Sequence, residues 1–116
     1  MWFGFSGKIW LYNQRVDFRR QIDGLTLLVA EQLQKNPISG QLFVFRNRLG
    51  DKIKLLWWDD NGFWLMYKRI EKGRFIFPSL REDIWLLSKE ELGWLLSGID
   101  FTKQTILPKT KAKYFY

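Results

Sequence analysis

The chain has 116 residues, 47% of them hydrophobic and 18% aromatic, with 19 Lys and Arg against 12 Asp and Glu for a net charge of +7. That composition suits one domain around one core and excludes general disorder, and the positive balance favours polyanionic partners. Cys and His are both absent, which excludes disulfides, thiol nucleophiles, Cys/His zinc sites and every triad that needs an imidazole base.

Met1–Gly7 is aromatic and broken by glycine, unlike a signal peptide, and no apolar run reaches the length of a membrane span. The expectation is a soluble cytoplasmic protein without a membrane partner, to which the lack of Cys is suited. Lys8–Asn13 reads as a short first strand. Asp17 offers a helix N-cap, and Phe18, Ile22, Leu25, Val29 and Leu33 follow at spacings of three or four, which predicts a helix over 17–35. Asn36-Pro37 ends it, since the residue before proline is pushed out of helical geometry. Strands follow at about 41–47, 52–58, 63–70 and 74–78, separated by turns at 48–51, 60–62 and 71–73; Asn61-Gly62 is a tight-hairpin signal. Ser88-Lys89-Glu90-Glu91 is a capping box, opening a second helix with Leu92, Leu95, Leu96 and Ile99 that closes at Gly98 or soon after. From Thr102 the chain turns polar and lysine-rich. The reading is an α+β fold: one domain over 1–101, a mostly antiparallel β-meander packed by two helices, then a flexible basic tail over 102–116.

If Asn61 and Gly62 form a two-residue loop, Trp58 faces Leu65, Leu56 faces Tyr67 and Lys54 faces Arg69, with Phe43 and Phe45 on the same side opposite Leu56 and Lys54. The other side carries Leu42, Val44, Ile53, Leu55, Trp57, Trp64, Met66, Ile70, Phe75 and Phe77. Alternate hairpin turns share an end of a meander, so Arg46, Arg48, Lys52, Lys54, Lys68, Arg69, Lys72 and Arg74 collect at one end, offset by Asp51 and Glu71. Asp59 and Asp60 lie at the other.

Asp59-Asp60 is read as a turn rather than a metal or acid–base pair, because no further carboxylates converge on it. Gly50, Gly62 and Gly73 sit at turns and lack P-loop spacing. Ser39, Ser79 and Ser88 have no base. A catalytic set, a cofactor and a small-molecule substrate are therefore not expected. Packed like charges repel one another, so the cationic end is the candidate binding surface. Arg46, Arg48, Lys52, Lys54, Lys68, Arg69 and Arg74 are its phosphate contacts, with Trp58 and Tyr67 as stacking or partner contacts.

Several segments together also resemble a family: Asp17-Phe18-Arg19 with Ile22-Asp23-Gly24-Leu25; Asn36-Pro37; Ser39-Gly40-Gln41-Leu42-Phe43-Val44-Phe45; Asn47-Arg48; Asp51 through Asp59; Gly62-Phe63; Tyr67 through Phe75; and Leu92 through Asp100. These are similar to the small accessory proteins of the insertion sequence 66 family of bacterial transposons, the TnpB or second-open-reading-frame type. Members commonly carry Met at the position of Phe18 and Arg at that of Leu49. The resemblance covers most of residues 8–101 and implies a non-enzymatic accessory role in bacterial transposition, beside a separate transposase that cleaves and joins DNA. It supplies no catalytic residues. DNA, or the transposase–DNA complex, is the expected partner at the cationic end. The rival is a protein–protein module that bridges transposase subunits without touching nucleic acid, and salt dependence separates the two.

Overall fold

The structure is a computed structural model that describes residues 5, 7–79 and 81–104; the predicted tail beyond Gln104 falls outside them. In chain order the elements are β1 (Ile9–Arg15), α1 (Ile22–Glu31), β2 (Leu42–Arg46), β3 (Lys52–Asp59), β4 (Gly62–Arg69), β5 (Ile84–Leu87), α2 (Lys89–Leu96) and a 3-10 turn at Phe101–Lys103. The sheet runs β4-β3-β2-β1-β5. β1 and β2 are parallel, with α1 as their crossover, and every other pair is antiparallel. This is the expected α+β class, with a mixed sheet.

Each helix covers one face. Leu25 and Val29 of α1, with Val16 and Leu33, bury Phe43, Phe45 and Leu56. Leu92 and Leu95 of α2 pack on Ile9, Leu11, Leu42, Val44, Ile53, Leu55 and Trp57, with Phe75 and Phe101 closing that core. Fully burying one such side chain stabilises by about 1.5–3 kcal/mol, and the alternation along β2 and β3 supplies both faces with them.

α2 forms as its sequence dictates. Ser88 Oγ accepts the Glu91 N–H at 3.0 Å and Glu91 Oε1 accepts the Ser88 N–H at 2.8 Å. Gly98, at φ +78, ends it, with the Ile99 N–H reaching back to the Trp94 carbonyl at 2.9 Å.

Three expectations change. The helix predicted over 17–35 is shorter, because Asp17 closes a separate turn: its carboxylate accepts the Arg19 N–H at 3.0 Å and its carbonyl the Arg20 N–H at 3.0 Å. Gln21, in extended backbone, is then the N-cap, without a side-chain cap. At the other end Gln34 adopts φ +54 before the Asn36-Pro37 stop is reached, yet Leu33 stays buried. The hairpin loop is Asp60-Asn61 with Asp59 opposite Gly62, so Trp58 pairs with Phe63, Leu56 with Leu65, Lys54 with Tyr67 and Lys52 with Arg69. The slip is two residues in register, so every side chain keeps its predicted face.

The third change concerns 74–78, which is not a strand. Phe75 donates its N–H to the Gly50 carbonyl at 2.8 Å, and the segment carries Phe75 and Phe77 across the α2 face. Buried Asn13 holds its far end, Nδ2 donating to the carbonyls of Pro78 at 3.1 Å and Ser79 at 2.9 Å. The chain thereby reaches the opposite edge, where β5 pairs with β1.

Candidate nucleic-acid interface

The 47–51 turn is built by a buried asparagine. Asn47 Oδ1 accepts the N–H groups of Gly50 at 3.0 Å and Lys52 at 3.1 Å, while its Nδ2 donates to Asp51 Oδ1 at 2.7 Å. That last bond holds the Asp51 carboxyl below its ordinary range. Gly50 sits at φ +75, which favours glycine. The Ile70 N–H donates to the Asp51 carbonyl at 2.9 Å and the Phe75 N–H to that of Gly50. The 48–51 and 71–73 turns therefore meet at one end of the sheet, as the parity of the hairpins requires.

Beside this end, on the α1 face, lies an open groove of about 610 Å³. Its floor is Lys52, Lys54, Leu65 and Tyr67 from β3 and β4; its walls are the 16–21 segment and the Asn47–Leu49 turn. Tyr67 is 55% exposed and meets the Phe18 ring edge-on at 6.4 Å. Arg69 is on the same face, next to Lys52 across the strands.

The nine residues singled out from sequence divide into groups. Arg48, Lys52, Lys54 and Tyr67 line the groove, and Arg69 and exposed Arg74 lie at the same end of the sheet. Arg46 and Lys68 point to the other face. The Arg46 guanidinium lies 4.2 Å from the centre of the Phe77 ring, and its burial lowers its pKa. Lys68 Nζ donates to the Leu96 carbonyl at 2.8 Å, at the end of α2. Trp58 shares the groove's face but does not line it: it stands about 20 Å from Lys52, six residues along β3, beyond the Leu56–Leu65 pair and edge-on to Phe63.

Lys54 is a structural cation as well as a groove residue. Only 5% exposed, it donates from Nζ to the carbonyls of Phe18 at 2.9 Å and Arg20 at 2.8 Å, and lies 4.9 Å from the centre of the Phe18 ring. Burial pulls its pKa down. It thus ties the 16–21 segment to the sheet.

The carboxylates nearby are engaged. Asp17 is bound by Arg19 at 2.6 Å, and that hydrogen bond holds its pKa at about 2. Glu71 is bound by Arg69 at 2.7 Å and is likewise lowered. Arg48, Lys52, Lys72 and Arg74 form no ion pair among the described residues. At the far end Asp59 accepts the Trp64 indole N–H at 2.9 Å and Asp60 takes the left-handed loop position, both turn roles. No cluster of three metal-ligating side chains occurs among the described residues.

Phe18 and Arg19 as groove walls were missed from sequence. The available signal was Asp17 itself, whose carboxylate can close a turn two residues on as readily as cap a helix.

Residues 7–105 match the family described as IS66 Orf2 like protein. The chain is 40% identical over 98 residues to the uncharacterized protein y4hO of Sinorhizobium fredii (strain NBRC 101917 / NGR234), covering 84% of this chain and 85% of that one. It is 38% identical over 96 residues to the uncharacterized protein y4jC of the same organism, covering 83% and 82%. No solved structure matches it.

Proposed function

We propose, from the premise that this chain belongs to the IS66 Orf2-like family, that it is a non-catalytic accessory protein of bacterial transposition that holds nucleic acid in the groove on its α1 face. The observation that carries this reading is the coexistence in one open groove of Arg48 and Lys52, cations without an ion pair among the described residues, with the exposed ring of Tyr67. Arg69, Lys72 and Arg74 extend the cationic surface past its end. Guanidinium and ammonium groups hold phosphates irrespective of sequence, and an exposed aromatic ring can stack on an unpaired base. Lys54 positions the groove wall rather than meeting the ligand. Arg46 and Lys68, on the opposite face, are left out of the contact set, as is Trp58.

The test is fluorescence anisotropy of the protein with labelled transposon-end duplex, random duplex and single strand, at low and moderate salt. Replacing both Arg48 and Lys52 with alanine should weaken binding to all three and lower the duplex salt slope by about 1.8, at about 0.9 per phosphate contact. Tyr67→Ala should weaken single-strand binding more than duplex binding. Absence of binding at low salt sinks the reading, and the transposase then becomes the partner to test at this surface.

A further inference from the structure

β4 is an eight-residue strand at the edge of the sheet, and among the described residues its outer side has no partner. The loop pairing of Asp59 with Gly62 fixes which backbone groups point outward. Positions 62, 64, 66 and 68 exchange hydrogen bonds with β3, so the N–H and C=O of Phe63, Leu65, Tyr67 and Arg69 face away from it. Natural edges of this length are ordinarily blunted by charge, proline, bulges or shortness. This one presents Phe63-Trp64-Leu65-Met66-Tyr67 without interruption, with Trp64 52% and Tyr67 55% exposed. The opposite edge contrasts with it: β5 has four residues and follows Arg81, Glu82 and Asp83.

We propose that β4 pairs antiparallel with β4 of a second copy of this chain about a two-fold axis at Leu65, making one continuous sheet across the dimer. The charge along the strand selects this occupant. Asp59 and Asp60 stand just before β4, and at its other end Lys68, Arg69, Lys72 and Arg74 outnumber Glu71, which Arg69 binds, so antiparallel self-pairing sets the net-basic end of each copy beside the acidic end of the other. Parallel pairing would set like beside like. With the axis at Leu65, Phe63 lies opposite Tyr67, Trp64 opposite Met66, and Arg69 opposite Asn61 next to Asp60. Odd residues stay opposite odd ones, so the two groove faces are coplanar. The outward N–H and C=O of Leu65 close the central pair of hydrogen bonds.

Because the chain has no native cysteine, single cysteines report the register. Light scattering of the full chain between about 1 and 100 µM should show the two-copy mass. Leu65→Cys should cross-link to itself on oxidation, since paired Cα atoms are about 5.5 Å apart. Phe63→Cys and Tyr67→Cys should cross-link when mixed but not alone, each being about 13 Å from its own mate. Leu86→Cys on β5 should stay monomeric. Trp64→Glu, at an exposed site, should raise the dimer dissociation constant about tenfold or more with an unchanged circular dichroism spectrum. A single-chain mass throughout the range overturns the proposal, and so does a dimer that cross-links through position 86 and not through 65.

Discussion

Replacing Lys54 with methionine separates a structural cation from a binding one. The substitution keeps an unbranched hydrophobic stem and removes the ammonium that holds the Phe18 and Arg20 carbonyls at 2.9 and 2.8 Å. Hydrogen bonds from a charged donor contribute about 1.5–3 kcal/mol each. Against them stands the desolvation of the ammonium, which methionine relieves and which shows in the lowered lysine pKa. With the two effects opposed, the net loss should be about 2 kcal/mol. At about 2.1 cal/mol/K per residue of unfolding entropy, that lowers the Tm by roughly 8 °C. Calorimetry of the variant measures this directly, and anisotropy with duplex DNA reads the second consequence. The salt slope should stay at the wild-type value, because Lys54 releases no counterion from phosphate. An unchanged or raised Tm would refute the structural role. So would an unchanged Tm accompanied by a slope lower by about 0.9, which would make Lys54 a phosphate contact.

Asn47→Ala should cost about 2 kcal/mol by leaving the Gly50 and Lys52 N–H groups without their acceptor; urea unfolding measures it, and nuclear magnetic resonance should find the Asp51 pKa risen toward its ordinary value as the Asn47 bond is lost. Ser88→Ala should cost about 1 kcal/mol through loss of the capping box, read as a shift in the urea midpoint with unchanged slope, and no loss would mean the helix start is held by packing alone. Asp17 titrates at about 2 when folded, below the ordinary aspartate value of 3.8, so its contribution is fully present above about pH 4 and is lost as pH falls toward 2. Asp17→Asn should therefore flatten the acid side of the stability profile in that window, and an unchanged acid slope would count against the Asp17–Arg19 bond.

What could be read from sequence was local or followed from parity. The capping box at Ser88 needs only its own four residues, and Gly98 only its own φ. The meeting of the 48–51 and 71–73 turns follows from counting hairpins, and the assignment of side chains to faces survived a slipped loop because the error was an even number of residues. What was not legible was decided between distant segments. Nothing near Ile84–Leu87 announces that it pairs with β1, nor does Lys8–Asn13 announce a parallel neighbour across a helix. Phe75 and Phe77 alternate as a strand would, but the Gly50 carbonyl and Asn13 side chain that divert them lie 25 and more than 60 residues away. Lys54 reads as one more strand-end lysine until the Phe18 and Arg20 carbonyls are seen beside it. At Asp17 two local options compete, and the turn prevails because its carboxylate is satisfied by both the backbone and side chain of Arg19.

The late start of α1 is what gives the cationic end a usable face. Strand alternation splits the basic residues between the two sides of the sheet. On the α2 side the Arg46 guanidinium lies against the Phe77 ring and Lys68 Nζ donates to the Leu96 carbonyl, so both are held by their own side of the sheet. On the α1 side a helix beginning at Asp17 would lay a full turn along the ends of β3 and β4, over Lys52 and Tyr67. The Asp17 turn instead sends the chain around that region as a wall, and Lys54 pins the wall from beneath. The lysine that holds the Phe18 and Arg20 carbonyls therefore also keeps Lys52, Arg48 and the exposed Tyr67 ring open at the groove. On this argument Lys54→Met should impair nucleic-acid binding only through loosening of the 16–21 segment. Hydrogen exchange should find the Arg19 and Arg20 amides less protected, while those of Gly50 and Lys52, held by Asn47, keep the protection they have in the unmutated chain.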